Sequence, residues 1–75
     1  MNDEVLNTSI RKFLKKLGVT AQREIEMAVR RAAAEGRLNE GQELSAKALL
    51  RVEEIGLSLN IEGSIKFDES HPRPA

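Results

Sequence analysis

Apolar residues recur at three- and four-residue steps through the first half of the chain, the spacing of one face of an α-helix. The pattern predicts one helix over about residues 3–17 and a second over about residues 20–35. Gly18 stands where a left-handed helix end is expected, and Thr20 is a suitable N-cap for the second helix. The predicted buried positions are Val5, Leu6, Ile10, Phe13, Leu14 and Leu17 in the first helix and Ile25, Ala28, Val29 and Ala32 in the second, with Val19 at its entry.

The second half changes to a period of two, which is typical of a half-buried β-strand. It predicts an antiparallel hairpin with strands over about residues 44–53 and 57–67, joined by a loop of up to four residues, 53–56. The strands pair so that, on one face of the hairpin, apolar residues lie opposite apolar residues. A shift of the pairing by one residue would bring Lys47 and Arg51 onto that apolar face. The expected facing pairs are Val52 with Leu57, Leu50 with Leu59, Ala48 with Ile61 and Leu44 with Ile65.

Gly63 leaves two interpretations of the second strand open. A long strand requires Gly63 to be a bulge or a bend. The alternative is a three-stranded meander with a second tight turn at Glu62 and Gly63, which would send Ile65 and Phe67 outward. The long strand is preferred, so the fold class is α+β: two helices packed on a two-stranded hairpin. Residues 1–68 form a single small domain, and residues 69–75, with two prolines, form a disordered tail.

The length and composition of the chain predict a domain with a small hydrophobic core. A chain of 75 residues is marginally stable and usually needs a disulfide, a metal or a partner subunit. The chain has no Cys, one His (His71) and two aromatic residues, Phe13 and Phe67. Disulfides are excluded and a zinc site is nearly so, since zinc is held by Cys and His. What remains is idealised packing or self-association, and the scarcity of core residues motivates the hypothesis of a homodimer.

Charge is unevenly spread although the net charge is zero. Residues 1–37 hold eight Lys/Arg and five Asp/Glu, and the remainder holds four and seven. A basic flank of the first helix, extended to the start of the second, is either a solvated face or a set of phosphate contacts. These cations are Arg11, Lys12, Lys15, Lys16 and Arg23. The run Leu17-Gly18-Val19-Thr20 also resembles the turn of helix-turn-helix proteins, with an imperfect match at Leu14 and Glu24.

The sequence offers few candidate catalytic residues. His71 falls in the predicted tail, and Cys and Tyr are absent. No serine has a histidine in a predicted ordered element to activate it, and no phosphate loop, metal motif or dinucleotide fingerprint is present. We therefore expect no enzyme activity, no cofactor, no metal and no small-molecule site. No apolar run is long enough for a membrane span, and the lack of Cys points to the cytoplasm.

The run from Ser9 to Glu26, SIRKFLKKLGVTAQREIE, together with an acidic start and a β-rich second half, resembles a family of short proteobacterial proteins. That family is a domain of unknown function. The resemblance covers nearly the whole predicted domain and implies a bacterial cytosolic protein. It implies no activity, ligand or site residue.

Two functions compete on these observations. The first is a protein-interaction or structural module that binds a second copy or another protein, with Leu49 and Ile55 as candidate interface residues because they fall on the outer face or turn of the hairpin. The second is weak nucleic-acid binding through the basic flank, in which case affinity must fall with salt.

Overall fold

The computed structural model describes residues 1–67. In chain order it has one helix, α1 (Asp3–Ala34), a strand β1 (Glu43–Val52), a short 3₁₀ turn (Glu53–Ile55) and a strand β2 (Leu57–Lys66). The class is α+β. The chain divides into two compact units, Met1–Arg37 and Leu38 onward, and each is described by itself. The predicted tail lies outside the described residues, and the prediction of a single domain stays a prediction.

A single helix of 32 residues replaces the two helices expected from the sequence. Gly18 does not end a helix and Thr20 does not begin one, because both lie inside α1. A glycine in a helix interior costs about 1 kcal/mol relative to alanine, which the helix-forming residues on both sides offset. Without a turn at Gly18 and Val19, the helix-turn-helix interpretation is wrong as well.

Both ends of α1 are capped by local hydrogen bonds. The Asn2 side-chain oxygen accepts from the backbone N–H groups of Glu4 and Val5, at 3.0 and 3.2 Å. At the other end, Gly36 has the left-handed φ of 73° and ends the helix as predicted. Its N–H donates to the Ala33 carbonyl at 3.0 Å, and the next N–H, of Arg37, donates to Ala32 at 2.9 Å. This pair of bonds is the Schellman motif, which satisfies carbonyls that the helix leaves free.

The hairpin has the predicted register. β1 and β2 pair antiparallel over their full lengths, and the four expected facing pairs are all confirmed. One face of the sheet is apolar apart from Gly63, and the other is polar apart from Leu49. The apolar pairs are Leu44 with Ile65, Ala48 with Ile61, Leu50 with Leu59 and Val52 with Leu57.

The turn and the second strand decide between the alternatives at Gly63. The 3₁₀ turn closes with the Gly56 N–H donating to the Glu53 carbonyl at 3.0 Å, and Gly56 takes a left-handed φ of 67°. The connection is thus the four-residue loop expected. Gly63 lies opposite Ala46 in the regular ladder, so it is neither a bulge nor a turn. Among the described residues the sheet has two strands, and the three-stranded meander is wrong.

Candidate interaction surface

The continuity of α1 joins the two predicted apolar faces into one. Along the helix, eight positions follow one another at steps of 4, 3, 4, 4, 4, 3 and 4 residues, which keeps them on one side. We call these eight positions the apolar stripe. They are Leu6, Ile10, Phe13, Leu17, Ala21, Ile25, Ala28 and Ala32. Leu14 and Glu24 fall within the same arc of the helix, and Val29 lies at its edge.

The apolar stripe is open to solvent. No residue of α1 is buried. Its five bulky side chains keep between 40% and 52% of their surface exposed. The sequence predicted that these positions would be buried, so their exposure is a correction. Isolated exposed apolar residues are ordinary, whereas a contiguous row of them is the kind of surface that interaction sites use.

Side-chain size changes along the apolar stripe. The half before Gly18 holds only bulky residues: Leu6, Ile10, Phe13 and Leu17. The half after it holds three alanines and Ile25. Two separate helices would have divided these halves between two surfaces. In one straight helix the small residues instead form the shallow end of a single surface. Ala21, which joins the two halves, was missed, although it lies four residues from both Leu17 and Ile25.

The predicted basic flank is partly brought together. Within one helix, Lys12, Lys16 and Arg23 are spaced by four and seven residues and share a side away from the apolar stripe. Arg30, seven residues after Arg23, continues that row and was not foreseen. Arg11 and Lys15 lie on a neighbouring side of the helix.

An acidic residue interrupts the positive row near its end. Glu26 lies 3.9 Å from the Arg30 guanidinium, measured between Oε1 and a terminal nitrogen. The Gln22 amide donates to the other carboxylate oxygen of Glu26 at 3.0 Å. The positive charge is therefore concentrated in the first half of α1 and is diluted in the second.

The predicted interface residues Leu49 and Ile55 are both exposed, at 59% and 72%. Leu49 faces Asn60 and is the single apolar residue on the polar face of the hairpin. Ile55 ends the 3₁₀ turn. They belong to different parts of the hairpin, and their role in an interface stays a prediction.

Sites for small ligands are sparse in the described part of the chain. An open concavity at the hairpin turn is lined by Arg51, Val52, Glu53 and Glu54. No group of three His, Cys, Asp or Glu residues within 1–67 is placed to hold a metal ion. Over the same residues, no helix has the length and apolar character needed to cross a membrane.

Comparison with known proteins places the chain in a family without assigning it an activity. No curated protein and no solved structure matches it. The model of the "Family of unknown function (DUF6494)" matches residues 1–68, which include both strands and the whole of α1. The match therefore spans both compact units, and the chain belongs to this family of unknown function.

Proposed function

We propose that this protein is a non-enzymatic interaction module that binds a second copy of itself through the apolar stripe of α1. The observation that carries the proposal is the continuous row of exposed apolar side chains on one helix of 32 residues. An amphipathic helix must bury such a face against another element to be stable. A second copy supplies an apolar face of the same length.

The non-enzymatic part is supported by the side chains available. Residues 1–67 contain no His, Cys or Tyr, the residues that most often act as bases or nucleophiles. Carboxylates occur side by side at Glu53 and Glu54, on an exposed turn. The absence of Cys also suits the reducing cytoplasm, where we place the protein.

The proposal is tested by sedimentation of two charge variants on the same helix. Wild-type protein at tens of micromolar should sediment at twice the chain mass of 8.3 kDa. Leu17→Glu puts a carboxylate in the centre of the apolar stripe and should shift the protein to monomer. Val19→Glu is the matched control, since Val19 is 53% exposed on the opposite side of α1, and it should stay dimeric.

Circular dichroism of both variants separates lost association from a lost helix. A Phe13→Gln variant, which carries no added charge, should weaken the dimer in the same direction. Wild-type protein that stays monomeric at high micromolar concentration would overturn the proposal. So would dissociation by Leu49→Glu with no effect of Leu17→Glu, because the interface would then lie on the hairpin.

A second candidate is weak nucleic-acid binding, favoured by the row of Lys12, Lys16 and Arg23 on one side of a continuous helix. Lysine and arginine contacts to phosphates release counterions, so affinity must fall steeply with salt. Fluorescence anisotropy on mixed DNA and RNA at low salt tests it. Lys16→Glu with Arg23→Glu should abolish binding, and Arg51→Glu on the hairpin is the control. No binding at tens of micromolar would dismiss this candidate.

A further inference from the structure

The apolar stripe is symmetric about a single residue. Its eight positions lie 2, 6, 9 and 13 residues before and after Val19. If the stripe is read in the reverse direction, every position falls on another member of the stripe. In an antiparallel pair of helices centred at the level of Val19, all eight positions therefore meet apolar positions of the second copy, and Leu14, which shares their arc, meets Glu24. The facing pairs are Leu6 with Ala32, Ile10 with Ala28, Phe13 with Ile25 and Leu17 with Ala21.

Side-chain size favours the same orientation. In the antiparallel pair, three of the four facing pairs set a bulky residue against an alanine. The space between the helices is then similar along their length, as interdigitating side chains require. A parallel pair would set Phe13 against Phe13 and Leu17 against Leu17 at one end. It would set Ala28 and Ala32 against themselves at the other, so the helix axes would have to splay apart.

The distribution of charged residues along α1 also favours the antiparallel orientation. Segment 11–16 holds four cations and no acid, whereas segment 22–27, which faces it in the antiparallel pair, holds two acids and one cation. The acidic first turn, Asp3 and Glu4, comes within about one turn of Arg31 of the second copy, while Asp3 itself faces Glu35. A parallel pair would bring four cations against four cations over segment 11–16. Lys12 and Lys16 lie on the side away from the stripe, so Arg11 and Lys15, on the neighbouring side, carry most of this repulsion.

From these three features we infer that two copies of the chain associate with their α1 helices antiparallel, about a two-fold axis at the level of Val19 along the helix, on the side where Leu17 and Ala21 lie. The inference rests on the proposed function and adds the orientation and the register. A closed two-fold contact uses the same patch on both subunits, which a stripe symmetric under reversal provides.

Distances between spin labels test the orientation in the full-length protein. The chain has no Cys, so each introduced Cys is the only labelling site. A label at Asn7→Cys lies at the edge of the stripe near one end of α1. Residue 7 then faces residue 31 of the second copy, so the two labels are separated by 24 residues along the axis. At 1.5 Å per residue, this is about 36 Å.

A label at Thr20→Cys is the matched control. It lies near the proposed two-fold axis, where the two labels are separated by two residues along the axis, about 3 Å. Parallel and antiparallel dimers both place these labels within about 20 Å, given an interaxial distance of about 8–10 Å. Pulsed dipolar spectroscopy, with continuous-wave broadening for the short distance, measures both variants.

The outcomes separate the inference from the proposed function. A distance of about 36 Å at position 7 with a short one at position 20 supports the antiparallel register. Short distances at both positions would mean a parallel dimer and would overturn the inference while the proposed function stands. If the two helices are antiparallel but shifted by eleven residues, the spacing that carries Leu6 onto Leu17, the distance at position 7 becomes about 20 or about 52 Å. That result would overturn the register. No dipolar coupling at either position would overturn the proposed function itself.

Discussion

Leu17 and Ala21 lie on the same face of α1, one turn apart, with Gly18 and Val19 between them inside an unbroken helix. Because of this spacing, the apolar stripe continues without a gap past Gly18, as the backbone of α1 does. The bulky half and the small half of the apolar stripe become one surface at this point. The effect of a substitution at Gly18 on helicity is therefore the most direct check that α1 is continuous.

We predict that Gly18→Ala raises the stability of α1 by about 1 kcal/mol. Gly18 does not have a positive φ, and a Cβ added there would meet no atom within 4 Å. The ellipticity at 222 nm, measured at a concentration where the chain is monomeric, should increase. Gly56→Ala is the contrasting change, since the left-handed φ of 67° makes a side chain unfavourable there. A decrease in helicity for Gly18→Ala would mean that the helix breaks at this position.

The Asn2 cap gives a second prediction. Asn2→Ala removes the acceptor of two backbone N–H groups, at Glu4 and Val5, and should cost about 1 kcal/mol of helix stability. Hydrogen exchange of those two amides should accelerate before that of amides in the middle of α1. Asn2→Asp keeps the acceptor and adds a negative charge at the helix N-terminus, so it should retain protection. Equal exchange in wild-type protein and Asn2→Ala would show that the cap does not form.

On the polar face of the hairpin, Lys47 lies directly opposite Glu62. We predict that Lys47→Glu destabilises the hairpin by a few tenths of a kcal/mol, because like charges then face each other across the strands. Thermal unfolding at low salt should show the loss, and added salt should reduce it. The exchanged pair, Lys47→Glu with Glu62→Lys, should recover most of the stability. A double variant as unstable as the single one would argue against this register.

Gly63 gives a prediction on the apolar face. It lies opposite Ala46 in the regular ladder, and a Cβ there would meet no atom within 4 Å. Gly63→Ala should therefore stabilise the hairpin by roughly 0.5–1 kcal/mol, since glycine in a strand interior costs about that much. Denaturant unfolding checks the size of the effect. A loss of stability would indicate that this position needs the freedom of glycine, as the bulge expected from the sequence did.

The hairpin was predictable because two constraints act on it at once. The alternation of apolar and polar residues decides which face each side chain takes. The requirement that apolar residues lie opposite apolar residues decides the register, and it predicts Leu50 opposite Leu59. The error at Gly63 arose because a glycine suggests an interruption. The ladder continues through it because Gly63, opposite Ala46, has no positive φ and stays in the regular strand.

The helix was harder to predict at Gly18 than elsewhere. Gly18 followed by Val19 and Thr20 carries the local signals of a helix end and a new start. Those signals are weak, because Gly18 costs only about 1 kcal/mol in a helix interior. The step of four from Leu17 to Ala21 was the evidence for continuity. The continuity of the apolar stripe was missed for the same reason, because a turn at Gly18 would divide these residues between two helices.

The exposure of α1 has a consequence for the protein in the cell. In the proposed dimer, association buries the apolar stripe and stabilises α1, so folding and assembly form one equilibrium. The folded fraction would then depend on abundance. At low expression most chains would be monomers with a frayed helix, exposed to proteases, and at higher expression each chain would protect another. The amount of this protein present would thereby influence its own rate of turnover.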